Sequence, residues 1–293
     1  MSWFAIVNPA AGRRKQSMHA LEEQAALHGV EVEFVETTSL DQLDEVVQRA
    51  VSDGFTNFLA VGGDGTANTL VNSLMPLRQT ERFTLGIVAA GSGSDLVRTF
   101  GHSKDLDEGF KRLVKPDRYP MDVGVMTVSG ATSFFVNAAN VGVAAEAATI
   151  AERLPRFLGS SRYVVAFWIA LAGHKAASIT VEVDHHVFSG KAINVVIANG
   201  QFFGGGMNIA PRASTSDGLF DVQVFSGPKR QAFTVMPRVL MGTHLSHKAV
   251  RRYIGSHVKL SGTGALSVEA DGERVGRGPV TIDVIPSAID LVI

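Results

Sequence analysis

The feature that most constrains the fold is Val61-Gly62-Gly63-Asp64-Gly65-Thr66, which follows directly on the apolar run Phe58-Leu59-Ala60-Val61. A short β-like run ending in three glycines and a carboxylate reads as a strand entering a tight loop. Glycine there permits φ > 0 and lets a bulky ligand approach the main chain. Leu70, Val71 and Leu74 then recur at helical spacing, so the loop opens a helix starting at Thr66. Amides at a helix N-terminus carry the positive end of its dipole and suit phosphate. Asp64 is the informative residue, because a carboxylate beside phosphate is repulsive unless a cation stands between them. The pattern points to a nucleoside triphosphate with Mg2+; the competing reading is a glycine-rich turn with a solvated Asp. Neither common glycine loop fits. GxxxxGK[ST] is absent, and Gly63-Asp64-Gly65-Thr66-Ala67-Asn68 lacks the third glycine of a dinucleotide fingerprint.

A chain of 293 residues is long for a single core, so two domains are expected. Its 45% hydrophobic and 19% charged residues describe a soluble globular protein. A formal charge of −1 gives no overall pull toward nucleic acid, and none is expected as a partner. The absence of cysteine excludes disulfides and thiolate zinc sites. The N-terminal residues have no basic segment and too short an apolar run for a signal peptide, and the apolar stretch from Tyr163 to Ala172 is half of what a membrane-spanning helix needs. The expected location is the cytoplasm, with peripheral membrane contact open.

Strand and helix signals alternate in the first part. Strands are expected at 3–7, 30–35, 58–61 and 83–89, and helices at 16–28 and 40–51, implying βαβ units and a parallel sheet. After Asp122 the texture becomes strand-rich, with runs at 180–183, 191–198, 220–225, 257–261, 266–270 and 281–285 and helical interludes at 144–154, 163–174 and 230–242. This rhythm suggests an antiparallel sheet or sandwich. The expected domains are 1–122, α/β and nucleotide-binding, and 123–293, β-rich, with the last strand free to return to the first domain.

Three aspartates are expected just after strands of the first half: Asp64, Asp95 in Gly91-Ser92-Gly93-Ser94-Asp95, and Asp122. Loops following parallel strands converge at one sheet edge, so these carboxylates can share one Mg2+ network through waters. Asn8-Pro9-Ala10-Ala11-Gly12 follows the first strand and adds a loop at that edge. Arg13, Arg14 and Lys15 beside it read as a solvated helix start or as phosphate contacts.

NPAAGRRK, VGGDGT, GSGSDLVR, GGGMNIAP with RASTSDG, and EADGE, in this order, resemble the diacylglycerol kinase catalytic-domain family, which includes bacterial lipid kinases and sphingosine and ceramide kinases. The resemblance implies a three-layer α/β domain like those of NAD kinase and phosphofructokinase, then a β-sandwich-like domain. It further implies ATP in the cleft between them and transfer of the γ-phosphoryl group to the hydroxyl of a lipid alcohol. Matched position by position, Asn8 to Gly12, Thr37, Gly63 to Thr69 (Gly63, Asp64, Gly65, Thr66, Ala67, Asn68, Thr69) and Ser92 fall on nucleotide-contacting segments. Asp64, Asp95 and Asp122 fall on the Mg2+-water network. Asp217, with the carbonyls of Ser214 and Leu219, falls on a structural cation site, and Asp271 and Glu273 on the acidic pair that activates the acceptor.

The residues read by themselves agree less sharply. Asp217-Gly218 and Asp271-Gly272 are each strong turn signals. A carboxylate with two carbonyls is an oxygen-only set that suits a hard cation, and an acceptor hydroxyl gains from a nearby carboxylate. The sequence departs from the family at Thr69, where an acid is usual, and at Ser92 and Ser94, which replace Thr and Asn. Each change removes a contact or two, of order 1–3 kcal/mol. His244, His247, Lys248, Arg251 and Arg252 read as a solvated basic face, with attraction to anionic lipid as the alternative. Phe157, Leu158, Tyr163, Phe167, Trp168 and Leu171 read as core or as the lining of a lipid pocket, and Gly204-Gly205-Gly206 as a site of close backbone packing. The expected activity is an ATP- and Mg2+-dependent lipid kinase acting on a diacylglycerol-like or sphingoid alcohol. The alternatives are an NAD kinase-like phosphotransferase and a catalytically silent nucleotide- or lipid-binding protein. The oligomeric state is open, a homodimer included.

Overall fold

Strand and helix alternate from the N-terminus because apolar β-type runs alternate with capped amphipathic segments. A computed structural model of the chain describes residues 1–8, 17–78, 82–89, 95–101, 105–155, 158–159, 161–263 and 266–293, with only the backbone of 89, 97 and 152. These residues divide into two units, Met1–Met121 with Ser287–Ile293, and Asp122–Pro286.

The first unit runs β1 (Ser2–Val7), α1 (Met18–Leu27), β2 (Glu31–Glu36), α2 (Leu40–Ser52), β3 (Asn57–Gly62), α3 (Asp64–Leu74), β4 (Thr84–Ala89), α4 (Asp95–Thr99) and α5 (Leu106–Val114). The strands are parallel in the order β2-β1-β3-β4, with Val7 opposite both Glu36 and Val61, and Val61 opposite Val88. Ser17, Ser39 and Asp105 cap α1, α2 and α5 by accepting from the amides of Ala20, Gln42 and Asp107. Side chains alternate across a strand, so Trp3, Ala5 and Val7 share one face, where they pack with Leu21, Ala25, Phe110 and Leu113 from α1 and α5. Ser73 of α3 donates to Asp44 of α2 at 2.5 Å.

The helix after the glycine run starts earlier than expected. Its first residue is Asp64, β3 extends through Gly62, and Gly63 alone forms the N-cap. A Cβ on Gly62 would lie 2.2 Å from Thr66 Oγ1, which is why the turn needs glycine at that position.

β5 (Arg118–Val128) leads into the second unit, followed by β6 (Ala131–Phe135), β7 (Ala138–Gly142), α6 (Val143–Arg153), α7 (Ser161–Gly173), β8 (Ala177–Val183), β9 (His186–Ala198), β10 (Phe202–Phe203), β11 (Met207–Asn208), β12 (Phe220–Ser226), α8 (Ala232–Leu240), β13 (Val250–Gly255), β14 (His257–Gly262), β15 (Ser267–Ala270), β16 (Glu273–Arg277) and β17 (Val280–Val292). Pairing within this unit is antiparallel. β9 organises it, its first half forming a hairpin with β8 and its second half lying between β7 and β12. The unit's core includes Phe135, Val195, Ile197, Phe220, Val222, Val258, Val268 and Ile282. The last strand pairs with β14 through Val280–Asp283 and, in the first unit, with β4 through Asp290 and Leu291.

The sequence reading misses β6, β7, β13 and β16, which are short or partly polar, and it misplaces Asp122. That residue lies inside β5 rather than after a strand. The basic-face reading of 244–252 also needs correction. His244 is fully buried, with Nε2 2.9 Å from the Ile209 carbonyl and 2.8 Å from Gln223 Oε1, and burial lowers its pKa. Arg252 pairs with buried Asp221 at 2.6 Å. Lys248 and Arg251 are exposed.

Candidate functional site

Parallel pairing brings the predicted nucleotide residues of the first unit to one edge of its sheet. Asn8 follows β1 and donates its amide to the Val61 carbonyl at 3.4 Å, while Thr37 follows β2 and donates to the Val7 carbonyl at 3.3 Å. The carboxyl ends of β1, β2 and β3 therefore lie side by side with Asn8, Thr37 and Gly63 at their exits. Neighbouring Thr38 is committed elsewhere, its amide and hydroxyl both donating to Gln42 Oε1 at the start of α2. Pro9, Ala10, Ala11, Gly12 and Ser92 lie outside the described residues.

Gly63 provides no side-chain cap, so the amides of the first turn of α3 have no intrahelical partner by geometry. Among the described residues, nothing lies within 4 Å of where a Cβ on Gly65 would stand. The Asp64 carboxylate reaches across to the start of α4, accepting from the Asp95 amide at 2.6 Å and the Leu96 amide at 3.3 Å. Asp64 and Asp95 are thus brought together. Thr66, Ala67 and Asn68 are buried, and the Ala67 amide donates to the Gly63 carbonyl at 3.2 Å. Thr69 donates its hydroxyl to the Gly65 carbonyl at 2.6 Å, four residues back in the same helix.

In the second unit Asp122 is fully buried. Its amide donates to the Thr215 carbonyl at 2.7 Å, and its Oδ2 accepts from the Gly218 amide at 2.7 Å. This ties it to the loop holding Ser214, Asp217 and Leu219. Asp217 Oδ1 accepts from the Leu219 amide at 3.1 Å, a turn held by its own side chain. Among the described residues no group of three or more His, Cys, Asp or Glu is gathered around a common point. A Mg2+ held by one or two carboxylates together with substrate phosphates and waters needs no such group, and the donors here are oxygens throughout.

Asp271 and Gly272 form the turn between β15 and β16, with φ of 49° and 89°. Both central residues are left-handed, as a two-residue hairpin requires. The Asp271 carboxylate is engaged by three backbone amides, Val136 at 2.7 Å on Oδ2 and Asn137 and Ala138 at 2.9 Å each on Oδ1. The Asp271 amide returns a bond to the Ala138 carbonyl at 2.9 Å. Glu273, two residues on, is exposed.

Glu269 escaped the sequence reading. It is fully buried, accepts from Asn140 Nδ2 at 2.5 Å and from the Gly272 amide at 2.8 Å, and burial pushes its carboxyl up to about 8 against the pull of those two donors. Asn194 donates in turn to Asn140 at 3.2 Å, and its oxygen accepts from the Ala144 amide at the start of α6. A polar chain thus joins the hairpin to a helix N-terminus. In the sequence Glu269 opens the EADGE run and stands as an acid inside an apolar strand, in Val268-Glu269-Ala270.

Asn140 and Asn194 also form part of the wall of an apolar cavity of about 90 Å3 lined by Phe167, Ile193, Val196, Val235, Met236 and Val239. Of the aromatic stripe read from the sequence, Phe167 reaches this cavity, Leu171 is packed against α6, and Trp168 stacks on Phe233. Phe157 lies outside the described residues. Gly204, Gly205 and Gly206 all have positive φ and turn β10 into β11.

Comparison with known proteins adds a family to this geometry. Residues 2–126 match the diacylglycerol kinase catalytic domain, and residues 137–293 match the YegS C-terminal NAD kinase beta sandwich-like domain. The chain is 27% identical over 282 residues to a diacylglycerol kinase of Bacillus subtilis, covering 94% of this chain and 90% of that one. It is 25% identical over 247 residues to the lipid kinase YegS of Escherichia coli K12, covering 83% and 80%. A crystal structure of a diacylglycerol kinase from Bacillus anthracis superposes with a TM-score of 0.75 at 20% identity, over 99% of this chain and 96% of that one, and so shares the fold.

Proposed function

This chain belongs to the diacylglycerol kinase catalytic-domain family, and from that premise we propose that it transfers the γ-phosphoryl group of ATP to a hydroxyl of a diacylglycerol-like or sphingoid lipid, with Mg2+. The observation that carries the reading is the convergence of Asn8, Thr37, Gly63 and the start of α3 at one sheet edge. Backbone amides of that turn receive phosphate oxygens. Asp64 and Asp95 supply oxygen ligands, and Mg2+ bound there would offset the charge of the phosphates. Asp217, with the carbonyls of Ser214 and Leu219, forms the second oxygen-donor set, and Asp122, assigned by the resemblance to the Mg2+-water network, is held to that loop by the Gly218 amide.

The acidic pair divides its labour. Three amides hold the Asp271 carboxylate, which makes it the anchor of the hairpin. Glu273 stands exposed on the same turn and takes the proton of the acceptor hydroxyl. The acceptor oxygen bonds to the γ-phosphorus, the bond from that phosphorus to the β–γ bridging oxygen breaks, and ADP leaves. Positioning and charge neutralisation supply most of the rate.

The test is transfer of labelled γ-phosphate from ATP to mono- and diacylglycerols, phosphatidylglycerol, sphingosine, ceramide and NAD in mixed micelles. A labelled lipid is expected. Labelled NADP would move the activity to the NAD kinase side, and ATP binding without any product would overturn the kinase reading in favour of a silent binding protein.

A further inference from the structure

We propose, resting on the kinase reading, that Glu269 is a positioning residue for phosphoryl transfer: its two carboxyl oxygens gather the donors of a buried chain that fixes the turn carrying Glu273. Glu269 of β15 lies directly opposite Asn140 of β7, and Asn194 stands in the neighbouring strand β9. All three side chains are buried. Directly opposed residues of an antiparallel pair are close enough for their side chains to bond. Gly142 precedes α6 without capping it, and Asn194 supplies the acceptor for the Ala144 amide at 2.9 Å.

The direction of every bond in the chain follows from its two ends. One end is the Ala144 amide and the other the Gly272 amide, and a backbone amide only donates. Ala144 therefore draws the Asn194 oxygen toward itself, which leaves Asn194 Nδ2 to donate to Asn140 Oδ1 at 3.2 Å. Asn140 Nδ2 then donates to Glu269 Oε1 at 2.5 Å, while Gly272 donates to Oε2 at 2.8 Å. Donors run in from both sides and meet at residue 269. A carboxyl keeps acceptor capacity on both oxygens, ionised or protonated; an amide has one oxygen and a nitrogen that accepts nothing. Burial, reinforced by the charges of Asp271 and Glu273, pushes the Glu269 carboxyl up to about 8, so at neutral pH it meets this need while adding little charge beside Glu273. The reach to the chemistry is short. The Asp271 carboxylate ties the first residue of the turn to the amides of Val136, Asn137 and Ala138, and Glu269 ties the second, Gly272, immediately before Glu273. A base must be held to within about 0.5 Å of its working place, and these two carboxyls hold the backbone that bears it.

The test compares the parent with Glu269→Gln and with Glu269→Gln plus Asn140→Asp, at neutral pH and well below melting. In the single variant an amide nitrogen faces one of the two donors, and turning the asparagines over only moves the mismatch to the Ala144 amide. The double variant shifts the two-acceptor group one place along. The carboxylate at 140 accepts from Asn194 and from the amide at 269, whose own oxygen accepts from Gly272. Hydrogen exchange of the Gly272 amide, measured without substrate, should quicken by about tenfold or more in the single variant and return to the parent rate in the double one. On the lipid that the transfer panel identifies, kcat per ATP-binding site should fall by about 10- to 100-fold in the single variant with ATP KM unchanged, and recover in the double one. A merely structural role would lower melting and the number of ATP-binding sites but leave kcat per site alone. Should the single variant not fold, parent-like kcat in the double one is the supporting result. Unchanged exchange in the single variant, full kcat per site despite faster exchange, or a double variant that regains neither would overturn the proposal. No transfer by the parent to any lipid would overturn the kinase reading and the catalytic role of Glu269 with it, while the exchange rates would still decide whether residue 269 holds the turn.

Discussion

Two aspartate–glycine turns, one in each unit, look alike in the sequence and use their carboxylates differently. Asp64-Gly65 opens α3 at a parallel sheet edge, and its carboxylate reaches the first amides of α4, thirty-one positions on. Asp271-Gly272 closes an antiparallel hairpin, and its carboxylate collects three amides from the segment joining β6 to β7. The local spelling sets the turn in both places. What the carboxylate does is decided by which distant amides the topology brings to it. In the second unit this leaves Asp271 holding the hairpin, and Glu273 is the residue proposed as the base.

The comparison breaks most readily at Asp271. Asp271→Asn tolerates the left-handed backbone but places an NH2 where an oxygen now accepts, so stability should fall by about 3 kcal/mol, read as a shift in the denaturant midpoint. A loss under about 0.5 kcal/mol would mean that the three amides do not need the carboxylate. The next effect concerns Glu269. Its folded pKa of about 8 lies above the ordinary glutamate value of 4.5, so the native state holds the proton longer than the unfolded chain. This contribution is complete below pH 4.5 and is lost as pH rises to about 8, by up to about 1.4 kcal/mol per unit. Melting of Glu269→Gln against the parent across that window should show the difference between them shrinking or reversing as pH rises; a constant difference would refute the raised pKa.

Asp64→Asn should cost about 1 kcal/mol through the weakened cap on α4, with transfer abolished. Retained transfer would remove Asp64 from the metal site. The smallest stability effect belongs to Glu273→Gln, within about 0.5 kcal/mol for an exposed residue, and it sharpens the comparison because all of its consequence should be catalytic.

Much of this was legible in the sequence. The alternation of β1 to β4 with capped amphipathic helices is written in residue periodicity, and the edge loops announced themselves by glycine. A polar residue in Met121-Asp122-Val123 looks like a strand end, whereas inside β5 the Gly218 amide donates to the Asp122 carboxylate and Asn199 Nδ2 donates to its backbone carbonyl. His244 looks solvated in the sequence for the same reason, since its partners Ile209 and Gln223 lie far along the chain. Glu269 left a faint sign, a lone acid in an apolar strand, which only its contact with Asn140 turns into a site. Long-range partners decide such residues, and periodicity does not carry them.

The most direct measurement is the kcat and ATP KM of Glu273→Gln beside the parent, on the lipid that the transfer panel identifies. The account predicts kcat lower by about 10²–10⁴ with ATP KM and melting unchanged. Full turnover in that variant would contradict it, and would return the base to Asp271 or to a group outside the hairpin.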